Sequence, residues 1–244
     1  ETQDIIAIED VYETLVQAYK DDSEKYARSN KLRDVVRFIL SYGWAFSGET
    51  ITLGNFANSG YKSREVGEAF RLLEKAMILE LVYPVSSTQM PIIPETKRMP
   101  KLIWFDTGLV NYQAGIRKEI IGSTEMVDSW RGHIAEQITA QELLSMEDRV
   151  GQHRSFWAKP NNGAEVDFLF VHNSKLYPIE VKSGTNAHLR SLQVFMDNSD
   201  IAIRVWSNPY SVNVVKTPKG KEFRLINLPF YLIGNLHQVL DEVI

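Results

Sequence analysis

The chain has 244 residues, 44% apolar and 24% charged, with 27 Lys+Arg against 31 Asp+Glu, 5 His and no Cys. That length suits one or two domains, and the ordinary balance of apolar and charged residues excludes disorder and fibrous repeats. Without Cys there can be no disulfide, thiolate nucleophile or sulfur-based zinc site, and no apolar run approaches a membrane span or a signal-peptide core.

These features read as a cytoplasmic protein without a membrane partner. Residues 1–100 carry 12 basic and 15 acidic side chains, and residues 101–244 carry 15 and 16. Neither part has the basic excess of a non-specific nucleic-acid binder. Contact with DNA or RNA must therefore come from a local patch or through a bound cation.

Residues 1–30 hold a first helix. Ile5, Ile8, Val11, Tyr12, Leu15, Val16 and Tyr19 recur at helical spacing, and the pattern stops at Lys20-Asp21-Asp22. The chain opens at Glu1 without Met, so this helix is expected to be the tail of a missing upstream domain, or a strap across the helices after it. Residues 31–100 read as helix, short helix, turn, helix and strand. Leu32, Val35, Val36, Ile39 and Leu40 line the first of these helices, which Gly43 ends. Thr52 caps a short helix through Phe56, and Asn58 to Tyr61 make a turn. Ser63 caps a helix bearing Val66, Phe70, Leu72 and Leu73, which leads into a strand from Ile78 to Tyr83. That order is the order of a winged helix-turn-helix, which would expose Lys62, Ser63 and Arg64 at the start of a recognition helix. Lys62 to Lys75 nonetheless mixes four basic with three acidic side chains, so reading DNA competes with a protein contact or a structural role. Pro84, Pro91, Pro94 and Pro100 then mark a wing and linker, where pairing as a central strand is not expected.

Residues 101–244 alternate helix and strand. Val127, Trp130, Ile134 and Ile138 stripe one helix to about Met146. Strands are expected at Arg154–Ala158, Val166–Val171, Leu176–Val181 and Ile201–Trp206, with a helical stretch from Ala187 to Asp197, and Leu225 to Leu232 reads as a strand end running into a closing helix. Such a mixture argues for an α/β domain with a central mixed sheet flanked by helices. The five histidines show no ligand spacing and read as surface or capping residues. Trp104, Trp130 and Trp157 read as core.

The chemistry gathers in one hairpin. Two strand-like runs flank Asn173-Ser174. A turn centred there sets Asp167 opposite Glu180 and Glu165 opposite Lys182. Alternation then gives one apolar face of Val166, Phe168, Phe170, Tyr177, Ile179 and Val181. The other face gathers Glu165, Asp167, Glu180 and Lys182 beside Leu169, Val171, Leu176 and Pro178. Opposed carboxylates near a core repel and call for a cation. A hard divalent ion such as Mg²⁺ or Mn²⁺ takes such oxygen ligands together with water and phosphate, and Lys182 can orient a water or face developing charge. The competing reading is a buried ion network in which Lys182 pairs with Glu165 or Asp167.

Asp167 followed by Glu180-Val181-Lys182 resembles the PD-(D/E)xK signature of the restriction-endonuclease-like superfamily, although Val166 stands where that motif has Pro. The resemblance implies Asp167, Glu180 and Lys182 as catalytic residues. It implies Asp167, Glu180 and the Val181 carbonyl as metal ligands, with Glu136, Glu165 and Gln193 in support. Over a longer span, Arg98 to Leu109, Gly132 to Glu136, Glu165 to Phe168 and Ile179 to Lys182 resemble the C-terminal half of prokaryotic AAA-type ATPases. There a winged helix and a nuclease-like domain of uncertain function follow a P-loop ATPase. That implies an upstream ATPase domain as partner and as the place of ATP, because this chain has no Gly-x-x-x-x-Gly-Lys-[Ser/Thr]. The oligomeric state, and a role as a non-catalytic module that binds nucleic acid or protein, remain open.

Overall fold

The computed structural model describes residues 5–115, 128–146, 154–160, 163–184 and 189–244. The chain divides into two compact units, one of residues 1–81 with 99–127, the other of residues 82–98 with 128–244. Eight strands form one mixed sheet in the order β2-β1-β3-β4-β5-β6-β8-β7. They are β1 Leu79–Val85, β2 Lys101–Trp104, β3 Ser155–Ala158, β4 Glu165–His172, β5 Lys175–Val181, β6 Ile201–Trp206, β7 Ser211–Lys216 and β8 Glu222–Pro229. Among the described residues, no helix is long and apolar enough to cross a membrane.

In the first unit, helix α1 spans Ile5–Tyr26, longer than the apolar periodicity suggests. Its charged turn stays helical because the charges are solvated or paired along the helix, as in Gln17 to Asp21 (2.7 Å) and Lys25 to Asp22 (2.8 Å). Val16 and Ser23 are buried on the inner side, as is Ala27 just past the helix end, Tyr12 stacks on Tyr112, and Glu24 pairs with Arg37. The helix is thus a strap over its own unit. Helix α2, Asn30–Tyr42, is capped by Ser29, whose Oγ accepts from the Leu32 N–H (3.1 Å), and it buries all five residues expected of it. Gly43 ends it without a left-handed turn. A Cβ there would lie 3.0 Å from the Trp104 ring, which stacks on Trp44, so the glycine makes room for aromatic packing.

No helix starts at Thr52. That segment is a loop running into a three-residue 3₁₀ turn, Phe56–Asn58, with Asn55, Ala57 and Asn58 all at positive φ. Three left-handed residues cannot continue a right-handed helix. Helix α3, Ser63–Lys75, begins with Ser63 as its first helical residue; the cap position is Lys62, whose N–H donates to Glu65 Oε2 (3.0 Å). The helix buries Val66, Gly67, Ala69, Phe70 and Leu73, while Leu72 is only half-buried. Helix α4, Thr107–Gln113, is capped by Asp106. Pro84 lies inside β1, an inner strand, against expectation. Its carbonyl accepts from the Glu95 N–H (2.9 Å) and its register partner is Phe156.

In the second unit, helix α5 spans Asp128–Ser145, α6 Arg190–Phe195 and α7 Leu236–Val243. Val127, from the expected α5 stripe, lies outside the described residues. The rest of that stripe shifts: Ile134, Ala135, Gln137, Thr139, Ala140 and Leu143 are buried, whereas Trp130 and Ile138 are half-buried. Helix α6 covers one sheet face. There Leu192, Phe195 and Met196 pack with Leu169, Leu176, Ala202 and Leu225. A 3₁₀ segment, Phe230–Asn235, packs with α5, α7, β6 and β8, and Phe170 meets His237 on the face opposite α6. Both faces of the central strands are covered, which explains their nearly unbroken apolar runs.

Candidate functional site

The hairpin forms in the expected register. Phe168 pairs with Ile179, Leu169 with Pro178 and His172 with Lys175, and Asn173 and Ser174 make the turn at φ 48° and 59°. One further step along that ladder sets Asp167 beside Glu180. The regular pairing stops before it because β4 bulges: Ser155 pairs with Leu169 and Trp157 with Val166, so β4 carries one extra residue between these pairs.

The bulge corrects the facing expected for the start of β4. Val166 does not share a face with Phe168 and Phe170. It packs with Leu169, Trp157, Leu192 and Phe195 under α6. Glu165, one residue earlier, then falls on the other face by alternation, away from Glu180. Asp167 remains at the bulge, half-buried, and its Oδ2 accepts the Val181 N–H (2.8 Å). This bond fastens the carboxylate to the peptide that follows Glu180.

Glu180 is buried, and its Oε1 accepts from Lys182 Nζ at 2.6 Å. Lys182 therefore pairs along its own strand; pairing with Glu165 or Asp167 was the expected form of the ion network. The Lys182 N–H continues the parallel ladder to the Val205 carbonyl (2.8 Å), which holds the residue at the end of β5. Helix α5 passes near this end: a Cβ on Gly132 would lie 3.8 Å from Ser183 Oγ. Glu136 is one turn farther on that helix face, half-buried. Gln193 is half-buried on α6. Lys62, Ser63 and Arg64 are all exposed in the other unit.

Asp167, Glu180 and the Val181 carbonyl are hard oxygen donors of the kind that Mg²⁺ or Mn²⁺ takes when water and phosphate complete the shell. Among the described residues, no group of three or more His, Asp or Glu is placed to hold a metal ion. The donor chemistry fits a two-carboxylate site, not a closed protein cage.

Two features escape sequence reading. The first is a polar row across the sheet: Glu180 pairs in register with Arg204, Arg204 with Asn227, and Asn227 with Ser211. Arg204 Nε donates to Asn227 Oδ1 (2.8 Å), and Asn227 Nδ2 donates to Ser211 Oγ (2.9 Å) and Asn213 Oδ1 (2.7 Å). The available signal is a lone Arg in the apolar β6 and a lone Asn within the apolar run Leu225–Leu228 of β8. The second is His172, read as a surface residue yet buried, with one ring nitrogen 2.8 Å from His237 Nδ1 and the other 2.7 Å from Asp241 Oδ1. Its partners lie on α7, too distant in sequence for spacing to reveal. His153 and His188 lie outside the described residues.

Residues 131–231 match a family described as a domain of unknown function (DUF4143), and residues 2–120 match one described as a domain of unknown function (DUF8612). No curated protein and no solved structure matches the chain.

Proposed function

We propose that this chain is the C-terminal region of an AAA-type ATPase whose β4–β5 hairpin carries Mg²⁺- or Mn²⁺-dependent phosphodiester hydrolysis of nucleic acid. The first half is supported by the match at 131–231, since DUF4143 domains are found in the C-terminal region of AAA-ATPase-like proteins. ATP belongs to an upstream domain in this reading. The observation that carries the second half is the Val181 N–H to Asp167 Oδ2 bond, which keeps Asp167 beside the Glu180–Lys182 pair.

Asp167, Glu180 and the Val181 carbonyl would hold the ion. When bound, it would supply charge to phosphoryl oxygens and acidify a water. Lys182 supplies a fixed ammonium for orienting the attacking water or meeting charge on the phosphorane. Glu136 and Gln193 would position water and substrate from the two flanking helices, while Glu165 supports the strand from its other face.

The test is nicking of supercoiled plasmid and single-stranded DNA with Mn²⁺, comparing wild type with Asp167→Ala and Lys182→Ala. Cleavage by wild type alone, with all three unfolding at similar temperatures, is the expected result. Equal activity in all three would overturn the site. Equal inertness would favour a second reading, a non-catalytic module that binds nucleic acid or a protein partner. That reading draws on the exposed Lys62, Ser63 and Arg64 at the start of α3. It requires a gel shift at low salt that Lys62→Ala with Arg64→Ala weakens, or for a protein partner no shift at all.

A further inference from the structure

Arg204 sits in the middle of β6 at 7% exposure, a place where a guanidinium needs a counter-charge. Its Nε donates to the neutral Asn227 amide, and its guanidinium carbon lies 3.7 Å from the centre of the Trp206 ring. Among the described residues no carboxylate pairs with it. Glu180, its register neighbour on β5, turns to Lys182 instead. Trp206 Nε1, in the ring under the guanidinium, is a buried donor with no acceptor among the described residues. Ser211 and Asn213 fix Asn227 from β7, so the guanidinium is held from behind. Burial pushes the Arg204 pKa down, yet an arginine keeps its proton at neutral pH. The result is a preorganised positive group and an indole N–H, stacked together, with no negative partner among the described residues.

We propose that Arg204 and Trp206 form a receptor for a phosphate group, either free or within a phosphodiester. An arginine fork matches phosphate oxygens in pairs of hydrogen bonds, and Trp206 adds a donor from the same stack. The anion site stands on Arg204 and Trp206 alone. The choice of phosphate over carboxylate rests on the nuclease-like reading of Glu180 and Lys182 on the neighbouring strand. Binding here needs neither metal nor cleavage.

The experiment is therefore run with a chelator present, so that it is blind to nicking. Inorganic phosphate, sodium acetate and a thymidine oligonucleotide are titrated separately into wild type, Arg204→Gln, Arg204→Lys and Trp206→Phe, with the unfolding midpoint followed and ³¹P line widths recorded in the phosphate arm. Wild type should show a saturable response to inorganic phosphate or to the oligonucleotide, and the stronger arm identifies the source. Arg204→Gln should weaken it about tenfold or more, the scale of a lost charge-assisted bond. Arg204→Lys should fall between, because it keeps charge without the fork. Trp206→Phe keeps the ring and loses the N–H, and should weaken binding by a smaller factor. In anion-free buffer Arg204→Gln should unfold no lower than wild type, since it removes an uncompensated charge. No saturable response to either phosphate source, or an equal response in Arg204→Gln, would overturn the proposal. Should Arg204→Gln not fold, unchanged affinity in both Arg204→Lys and Trp206→Phe would overturn it as well. Acetate acting as strongly as phosphate would overturn the assignment to phosphate.

Discussion

Asn173 and Ser174 both adopt left-handed φ, at 48° and 59°, to close a two-residue turn between β4 and β5. Asn tolerates that region, whereas serine has no special tolerance for it and glycine enters it freely. Ser174→Gly is expected to raise stability by about 0.5–1 kcal/mol, read in urea unfolding at unchanged slope. Ser174→Val should lower it, because a β-branched side chain fits that region worst. A lower stability in the glycine variant would mean the turn is not strained. This turn was legible in the sequence because everything that sets it is local: two polar residues between two strand-like runs fix the register, and the register puts Asp167 near Glu180. The bulge was not legible. It arises from how β3 pairs with β4, and no pattern within β4 announces it, so the expected facing held from Phe168 onward and failed at Val166. His172 is a similar case, since its environment is made by a helix more than sixty residues away.

Helix α6 has only six residues and no side-chain cap, so its own propensity cannot sustain it. Burial must hold it, and Leu192 and Phe195 are fully buried against the sheet. Leu192→Ala should cost about 2–5 kcal/mol in equilibrium unfolding, the range for a buried leucine truncated in a packed core. Gln193, half-buried on the same helix, should change stability by less than about 0.5 kcal/mol when replaced by Ala. The pair separates architecture from chemistry: if Gln193 serves the hairpin site, Gln193→Ala weakens cleavage or binding at an unchanged midpoint. A large stability loss would make it a packing residue. The strands of this unit were readable as elements because Val, Ile and Leu run through them between polar breaks. Strand β7 was not. Ser211–Lys216 is an edge strand, mostly exposed, and it needs no apolar face because its order comes from pairing with β8. The same apolar runs concealed Arg204 and Asn227, since a strand pattern is recognised from its majority, while the row those two form depends on which strands become neighbours.

At the scale of the whole chain, a net charge of −4 and a two-carboxylate hairpin suggest that neither nucleic acid nor a divalent ion binds strongly alone. Nothing in the packing of either unit, as far as the described residues go, depends on a metal, and no group of three carboxylates or histidines is placed to cage one. A chelator should therefore leave the unfolding midpoint unchanged within about 1 °C, unlike a domain folded around a structural ion. Mn²⁺ alone, near its dissociation constant, would add only about 0.4 kcal/mol, or roughly 1 °C for a chain of this size. The larger effect is expected when Mn²⁺ is added with a non-hydrolysable phosphodiester oligonucleotide, because the phosphate then contributes oxygens that the protein does not. Linkage makes that cooperation reciprocal: Mn²⁺ should tighten oligonucleotide binding by the same factor by which the oligonucleotide tightens Mn²⁺ binding. Calorimetry in both orders of addition measures the two factors, and Asp167→Ala should reduce both to one. If Mn²⁺ alone at low concentration raised the midpoint by many degrees, ligands beyond Asp167 and Glu180 would have to complete the site. If the two ligands bound with no mutual effect in wild type, the hairpin carboxylates and the phosphate would not share an ion, and the hydrolytic reading of the hairpin would fall.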